Sequence, residues 1–167
     1  MKNQIKIESR IRPFSNQIEV SSDKSLSIRC ILLSSIAAGK SKIFNLLESE
    51  DVINSLKALK KIGVNYRRKK DHIEIHGVGI NGFDIKNKTV INAGNSGTLA
   101  RCIIGLCSAT KKKIKLIGDN SLSRRDFSRV IKPLNMFGVK IKSKKNLLPL
   151  EIYGSNLLRP INYAFST

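Results

Sequence analysis

The sequence contains no tryptophan and few aromatic side chains of any kind, 5% in all, so it offers no evident platform on which single-stranded bases would stack. Cysteine is scarce too. Cys30, Cys102 and Cys107 are odd in number, lack metal-ligand spacing and lie in apolar segments. That excludes a disulfide framework and points to reduced core thiols in a cytoplasmic protein. No apolar run reaches the length needed to span a bilayer. The opening Met1-Lys2-Asn3-Gln4-Ile5-Lys6 has neither the h-region of a secretory signal nor the Arg/Ser richness of a transit peptide. No nucleotide P-loop, dinucleotide fingerprint or usable Ser-His-Asp set is present.

Acid is the largest deficit: 12 Asp and Glu stand against 31 Lys and Arg, a net charge of +19. Such a balance invites a nucleic-acid partner. A plainer account competes with it, because Lys, Ile and Asn are all encoded by AT-rich codons. The basic clusters Arg67-Arg68-Lys69-Lys70, Lys111-Lys112-Lys113 and 142–145 fall at expected turns and strand ends. They read first as solvated surface and only second as a polyanion site. With 41% hydrophobic residues over 167 positions, the chain is long and apolar enough for one globular domain with a real core.

What is present begins with Asp23-Lys24-Ser25-Leu26-Ser27-Ile28-Arg29 and the apolar run behind it. From Leu26 to Ala38 nearly every side chain is small or apolar, which predicts a helix over about 25–38 that is buried on all sides. Gly39 is expected to stop it. Short strands are expected at 4–7 and 17–20, and another at 41–45. Val52, Ile53, Leu56, Leu59 and Ile62 recur at helical spacing behind Ser49-Glu50-Asp51. Two strands follow, at 64–68 and 72–76.

The pattern then repeats. Leu99-Ala100-Arg101-Cys102 mirrors Ser27-Ile28-Arg29-Cys30, 72 positions further on. Residues 113–117 make the strand and 124–137 an amphipathic helix, bent at Pro133. Gly138-Val139 matches Gly63-Val64, and Glu151-Ile152-Tyr153-Gly154 matches Glu74-Ile75-His76-Gly77. Two copies of a β-α-β-α-β-β unit, at about 22–77 and 88–154, predict an α/β fold.

Each copy carries an arginine inside its apolar helix, and a buried guanidinium needs an anionic partner. Lys24 and Ser25 stand where the first free N–H groups of a helix favour an anion, with Asp23 or Ser22 as the N-cap. The ordinary alternative is a capped core helix with Arg29 paired to a local carboxylate. The second helix opens through Asn92-Ala93-Gly94-Asn95-Ser96-Gly97-Thr98, a glycine-rich entry that lets an anion approach the backbone. The loop Gly118-Asp119-Asn120-Ser121-Leu122-Ser123-Arg124-Arg125 brings Arg125 and Arg129 to the next helix, where Arg125 suits a phosphate or carboxylate. Asp51, at the equivalent place in the first copy, serves either as a hydroxyl acceptor or as a favourable charge at a helix N-terminus. His72, Glu74 and His76 alternate along one strand. They are read as an exposed face, not as a metal site.

These motifs together resemble the 5-enolpyruvylshikimate-3-phosphate synthase family. Asp23-Lys24-Ser25-Leu26-Ser27-Ile28-Arg29 is similar to its shikimate-phosphate loop, Asn95-Ser96-Gly97-Thr98-Leu99-Ala100-Arg101 to its phosphoenolpyruvate loop, and 118–125 to the loop carrying its phosphoenolpyruvate-binding arginine. Glu48-Ser49-Glu50-Asp51-Val52 fits as well. The resemblance implies an inside-out α/β domain with buried helices, with Lys24, Ser25 and Arg29 holding shikimate-3-phosphate. It implies Lys24, Gly97 and Arg125 on phosphoenolpyruvate, and Asp51, Asn95 and Arg101 lining the cleft. It supplies no catalytic acid or base here, no metal and no cofactor. It also implies a monomer when complete, with residues 1–21 belonging to the second domain and 22–167 forming part of the first. Three departures stand out: Ser21-Ser22 replaces the usual Pro-Gly, Asp126 replaces the Pro after the anion-binding arginine, where its carboxylate would compete for Arg125, and the family's chain is more than twice this length. The alternative, favoured by the charge, is a non-catalytic anion- or RNA-binding domain built from the same repeat.

Overall fold

The computed structural model describes residue 15 and residues 20–164. The strands expected at 4–7 and 17–20 lie outside the described residues, except for Val20, which is irregular. Asp23 starts the first helix: its Oδ1 accepts the Leu26 N–H at 2.6 Å, satisfying one of the donors a helix start leaves free. Helix α1 runs Lys24–Ile36 and strand β1 follows at Ala38–Phe44. Ser27 Oγ accepts the Leu47 N–H at 3.2 Å, tying α1 to the loop beyond β1. Ser49 caps α2 (Glu50–Lys61), which carries Glu50 and Asp51 in its first turn and Lys60 and Lys61 in its last, as the helix dipole favours.

Strands β2 (Asn65–Arg68) and β3 (His72–Val78) complete the first half. The second half runs β4 (Thr89–Asn92), α3 (Gly97–Leu106), β5 (Lys113–Ile117), α4 (Asn120–Ser123), α5 (Ser128–Phe137), β6 (Lys140–Lys144) and β7 (Leu147–Tyr153). In the first sheet β1 and β2 flank β3, both antiparallel to it. The second sheet has the order β4-β5-β7-β6, with β4 and β5 parallel. The fold is mixed α/β with two sheets.

Alternation along the strands turns Ile73 and Ile75 of β3 and Ile114, Leu116, Leu150 and Ile152 of β5 and β7 inward. There they join Ile28, Ile31, Leu59, Leu99 and Ile103 of the helices in one buried cluster. Helix α1 packs on α2, α3 and β3, so both halves share the core. Matching glycines serve this packing. A Cβ on Gly77 would lie 2.3 Å from Ala37 O, and one on Gly154 would lie 2.1 Å from Thr110 O. In each half a bare backbone lets the last strand meet the end of the apolar helix. No helix of the described residues is long and apolar enough to cross a membrane.

Four expectations need correction. Helix α1 is buried on one side only: Ser27, Ile28, Ile31, Leu32 and Ser35 face the core. Leu26 and Leu33 are 59% and 62% exposed, and Arg29 and Cys30 stand beside them in solvent. Those four recur at i, i+3, i+4 and i+7, the stripe opposite the core, and no described element covers it. Gly39 does not stop the helix, which ends at Ile36 with the extended Ala37 as its cap. Gly39 sits in β1 opposite Gly77 with φ +94°. The helix expected over 124–137 starts later, as α5 at Ser128, where Asp126 accepts the Ser128 N–H at 2.9 Å; a separate short helix, α4, precedes it at Asn120–Ser123, capped by Asp119 at 2.7 Å. Finally, His72, Glu74 and His76 are not exposed. Glu74 is buried and both histidines are half-buried, with Phe44 packed on the His72 ring at 5.0 Å.

The cysteines divide accordingly. Cys107 is fully buried, and burial pushes its thiol up to about 12, while Cys30 is exposed.

Candidate functional site

The first group of polar residues gathers where α1 and α2 begin. Lys24 opens α1 and reaches Asp51 in the first turn of α2, Nζ to Oδ2 at 3.0 Å. Asp51 is largely covered and Lys24 half exposed, so the pair presents its cation outward. Asp51 thus answers the lysine directly instead of serving only the helix dipole. Ser25 and Arg29 stand one turn apart on the same side of α1. Arg29 is exposed, which corrects the expectation of a buried guanidinium, and among the described residues no ion pair holds it. The Ser22 hydroxyl donates to the Asn45 carbonyl. The Ser-Ser sequence that replaces Pro-Gly is therefore anchored to the loop after β1.

The second group is tighter. The turn after β4 and the turn after β5 lie side by side: Ala93 N–H donates to Ile117 O and Asp119 N–H to Gly94 O, both at 2.9 Å. Ser96 caps α3, accepting the Leu99 N–H at 3.3 Å, and Gly97 is the first helical residue. A Cβ built on Gly97 would stand 2.8 Å from Arg101 Nη1 and 3.1 Å from Arg125 Nη1. Two guanidinium groups thus converge over the first free N–H groups of α3, where the helix dipole also favours an anion. Arg125 Nη2 donates to Asn95 Oδ1 at 2.6 Å. The Arg101 guanidinium lies 5.2 Å above the buried Phe127 ring. Asn95, Gly97, Arg101 and Arg125 are therefore brought together.

Asp126 does not compete for Arg125. Its carboxylate accepts from the Ser128 N–H and hydroxyl, and those hydrogen bonds hold it below the usual carboxylate range. Among the described residues no ion pair joins Asp126 to Arg125. The local chemistry is thus cationic and strongly hydrogen-bonding at one helix start.

One residue that sequence reasoning missed links the two groups. Asn54 follows Asp51 by three positions on α2, and a Cβ on Gly94 would sit 2.4 Å from Asn54 Nδ2. Helix α2 thereby spans from the Lys24–Asp51 pair to the turn that carries Asn95. The available signal was a polar residue at i+3 from Asp51 beside the apolar stripe. No direct hydrogen bond or ion pair among the described residues joins Lys24, Ser25 or Arg29 to the arginine pair. A separate cavity of about 530 Å³ lies between the α2 start and the β2–β3 turn, lined by Leu46, Leu47, Ile53, Arg68 and Lys70 among others. Glu48, Ser49, Glu50 and Val52 of the 48–52 motif and Arg68, Lys69 and Lys70 of the basic cluster line it, with His72, but none of the residues expected to hold a substrate or line the cleft does. Among the described residues no cluster of His, Cys, Asp and Glu could hold a metal ion.

Comparison with known proteins places the chain in a family. The family model described as EPSP synthase (3-phosphoshikimate 1-carboxyvinyltransferase) matches residues 9–167. A 3-phosphoshikimate 1-carboxyvinyltransferase of Streptococcus pyogenes serotype M2 (strain MGAS10270) is 36% identical over 161 residues, covering 95% of this chain and 37% of the relative. One of Ruthia magnifica subsp. Calyptogena magnifica is 44% identical over 146 residues, covering 87% and 33%. The solved structure of EPSP synthase from Acinetobacter baumannii superposes with a TM-score of 0.78 at 35% identity, covering 87% of this chain and 33% of that one. The chain spans about a third of the length of the relatives it matches.

Proposed function

The chain belongs to the EPSP synthase family, and on that premise we propose that it is the first-domain portion of a 3-phosphoshikimate 1-carboxyvinyltransferase. The reaction joins the 5-hydroxyl oxygen of shikimate-3-phosphate to C2 of phosphoenolpyruvate, then expels phosphate from the resulting tetrahedral intermediate. It belongs to the shikimate pathway of aromatic amino acid biosynthesis, and the protein works in the cytoplasm.

The observation that carries the reading is the convergence of Arg101 and Arg125 over Gly97. Two cations and a helix start make a receptacle for a small anionic group, the chemistry of a phosphoenolpyruvate phosphate or carboxylate. Lys24, Ser25 and Arg29 hold shikimate-3-phosphate, with Lys24 also reaching phosphoenolpyruvate. Asp51 orients Lys24, and Asn95 orients Arg125. Such fixed charge acts by positioning two anions against each other and by stabilising charge as it develops.

In this reading the two halves are copies of one β-α-β-α-β-β unit with the helices turned inward, and residues 1–21 belong with a second domain. Matching glycines at 77 and 154 support the duplication. The full-length protein is a monomer. Every anchor found here is a cation, a backbone donor or a residue orienting one, and none is placed as a general acid. The 167-residue chain by itself is therefore expected to release no phosphate from the two substrates above a Lys24→Ala control. Shikimate-3-phosphate at millimolar concentration should still shift backbone amides near 24–29. Unmoved amides there would overturn the assignment of the first loop.

A further inference from the structure

The outer face of the four-stranded sheet carries a feature the proposed reaction does not use. Strand register sets Lys113 opposite Tyr153 and Tyr153 opposite Lys140. One row along, Lys115 stands opposite Glu151 and Glu151 opposite Lys142. Directly paired residues share a face, and their neighbours Ile114, Ile141, Leu116, Leu150 and Ile152 are buried on the other. The outer face therefore holds four lysines and one carboxylate. Lys111 and Lys112 before β5, with Lys144 and Lys145 at the β6–β7 turn, add four more exposed charges at its margins.

Glu151 is already engaged. Lys113 Nζ lies 2.9 Å from it and the Tyr153 hydroxyl donates to it at 3.1 Å, an arrangement that lowers the Glu151 carboxyl and raises the Lys113 ammonium. Among the described residues no other ion pair falls on this face. The corresponding face of the three-stranded sheet is less charged: Lys40, Lys42 and Arg67 surround Glu74, and Asp71 stands at its end.

The chemistry of this face selects its ligand. Its lysines stand side by side along neighbouring strands, and the 530 Å³ cavity touches none of them. Its cations are all lysines, point charges without the planar fork that reads a base edge. The Tyr153 ring is covered by Lys113 and Lys142, at 5.3 and 5.7 Å, so it is not free to stack on a base. Val90 is its one exposed large apolar side chain, on the edge strand opposite Lys115, which is little to insert into a lipid surface. Alternate lysines along a strand repeat at about 6.7 Å, a spacing a flexible phosphate chain can follow across the sheet and a rigid duplex cannot. We propose that the outer face of the four-stranded sheet binds the phosphate backbone of single-stranded nucleic acid, without regard to base sequence. This surface stands apart from the Gly97–Arg125 site, which lies at the opposite end of β5, and the inference does not rest on the proposed reaction.

The test uses the full chain and a fluorescein-labelled 20-nucleotide oligouridylate, followed by anisotropy between 25 and 200 mM NaCl. If about four lysines each neutralise a phosphate, log K should fall against log salt with a slope near −3. The triple variant Lys115→Gln, Lys140→Gln, Lys142→Gln removes exposed charges only, and its thermal melt should match wild type. It should bind at least tenfold more weakly at 50 mM salt. The matched triple Lys40→Gln, Lys42→Gln, Arg67→Gln on the other sheet should lose less than threefold. The inference is overturned by absent binding at low salt, by equal losses in the two triples, or by tighter binding to a 20-base-pair duplex. It is equally overturned if the first triple abolishes binding to phosphatidylserine vesicles yet leaves oligouridylate binding intact.

Discussion

Replacing Arg125 by Met tests whether the arginine pair exists for a ligand or for the fold. The two guanidiniums approach one hypothetical atom at 2.8 and 3.1 Å, which puts their nearest nitrogens within about 6 Å of each other. At an effective dielectric near 20 that repulsion amounts to about 1–3 kcal/mol, with the lower end applying because Arg125 is exposed and screened. Against it stands the 2.6 Å bond from Arg125 to Asn95, an exposed charge-assisted contact contributing about 1 kcal/mol. The two effects nearly cancel. Arg125→Met should leave the apo melting temperature within about 3 °C of wild type, since 1 kcal/mol corresponds to roughly 2–4 °C at this size. Arg101→Met should behave alike, because Met can still cover Phe127 while about 0.5–1 kcal/mol of cation–π attraction is lost. Each variant should bind phosphoenolpyruvate about 10–100-fold more weakly, as expected for losing a charge-assisted hydrogen-bond pair. The assay is thermal unfolding of the wild type and both variants, with and without millimolar phosphoenolpyruvate. A fall of more than ~6 °C in the empty variants, with the ligand-induced rise intact, would mean that these arginines hold the loops together and that the site is misassigned.

Other outcomes follow from single contacts. Gly97→Ala puts a Cβ 2.8 Å from the mobile end of Arg101, so a titration should show weakened anion binding with little change in melting temperature. Gly154→Ala drives a Cβ against the Thr110, Ser108 and Cys107 carbonyls, which cannot swing away; chemical denaturation should register a loss of about 1–3 kcal/mol or more. Asp126 has a folded-state pKa below its ordinary value because Ser128 hydrogen-bonds the carboxylate. Its stabilisation is therefore present above the unfolded-state pKa and is lost as pH falls through the lower folded-state value. Asp126→Asn should flatten that acid limb of the melting profile, and an unchanged limb would refute the capping role.

Local signals were legible wherever the cause of a structure is itself local. Asp23 and Ser49 announced their helices because an N-cap needs only a side-chain oxygen and a free N–H three residues on. The inward turn of Ile73 and Ile75 in β3 and the alternation of β7 follow from strand geometry alone, whereas the burial of Glu74 between the two isoleucines depends on what packs over it. The arginines at 101 and 125, 24 positions apart, could be paired beforehand only by resemblance, because their meeting depends on the turns after β4 and β5 lying side by side. Asn54 was missed for the same reason: its role exists only through contact with Gly94.

The misreading of α1 has a different origin. An all-apolar helix states that both of its sides are suited to burial, but it cannot state what supplies the second side. Here Ile28, Ile31 and Leu32 meet the sheet and its neighbours, while Leu26, Cys30 and Leu33 meet nothing described. Large apolar residues aligned on one helix face usually mark a contact surface, and α1 lies beside α3, which leaves Gly105 open on its own exposed side. The chain spans about a third of the length of the relatives it matches, and no described residue covers this stripe of α1. The exposure of Arg29 follows from the same fact. It sits on the uncovered stripe, and its charge meets water where the sequence pattern implied a desolvated anion site.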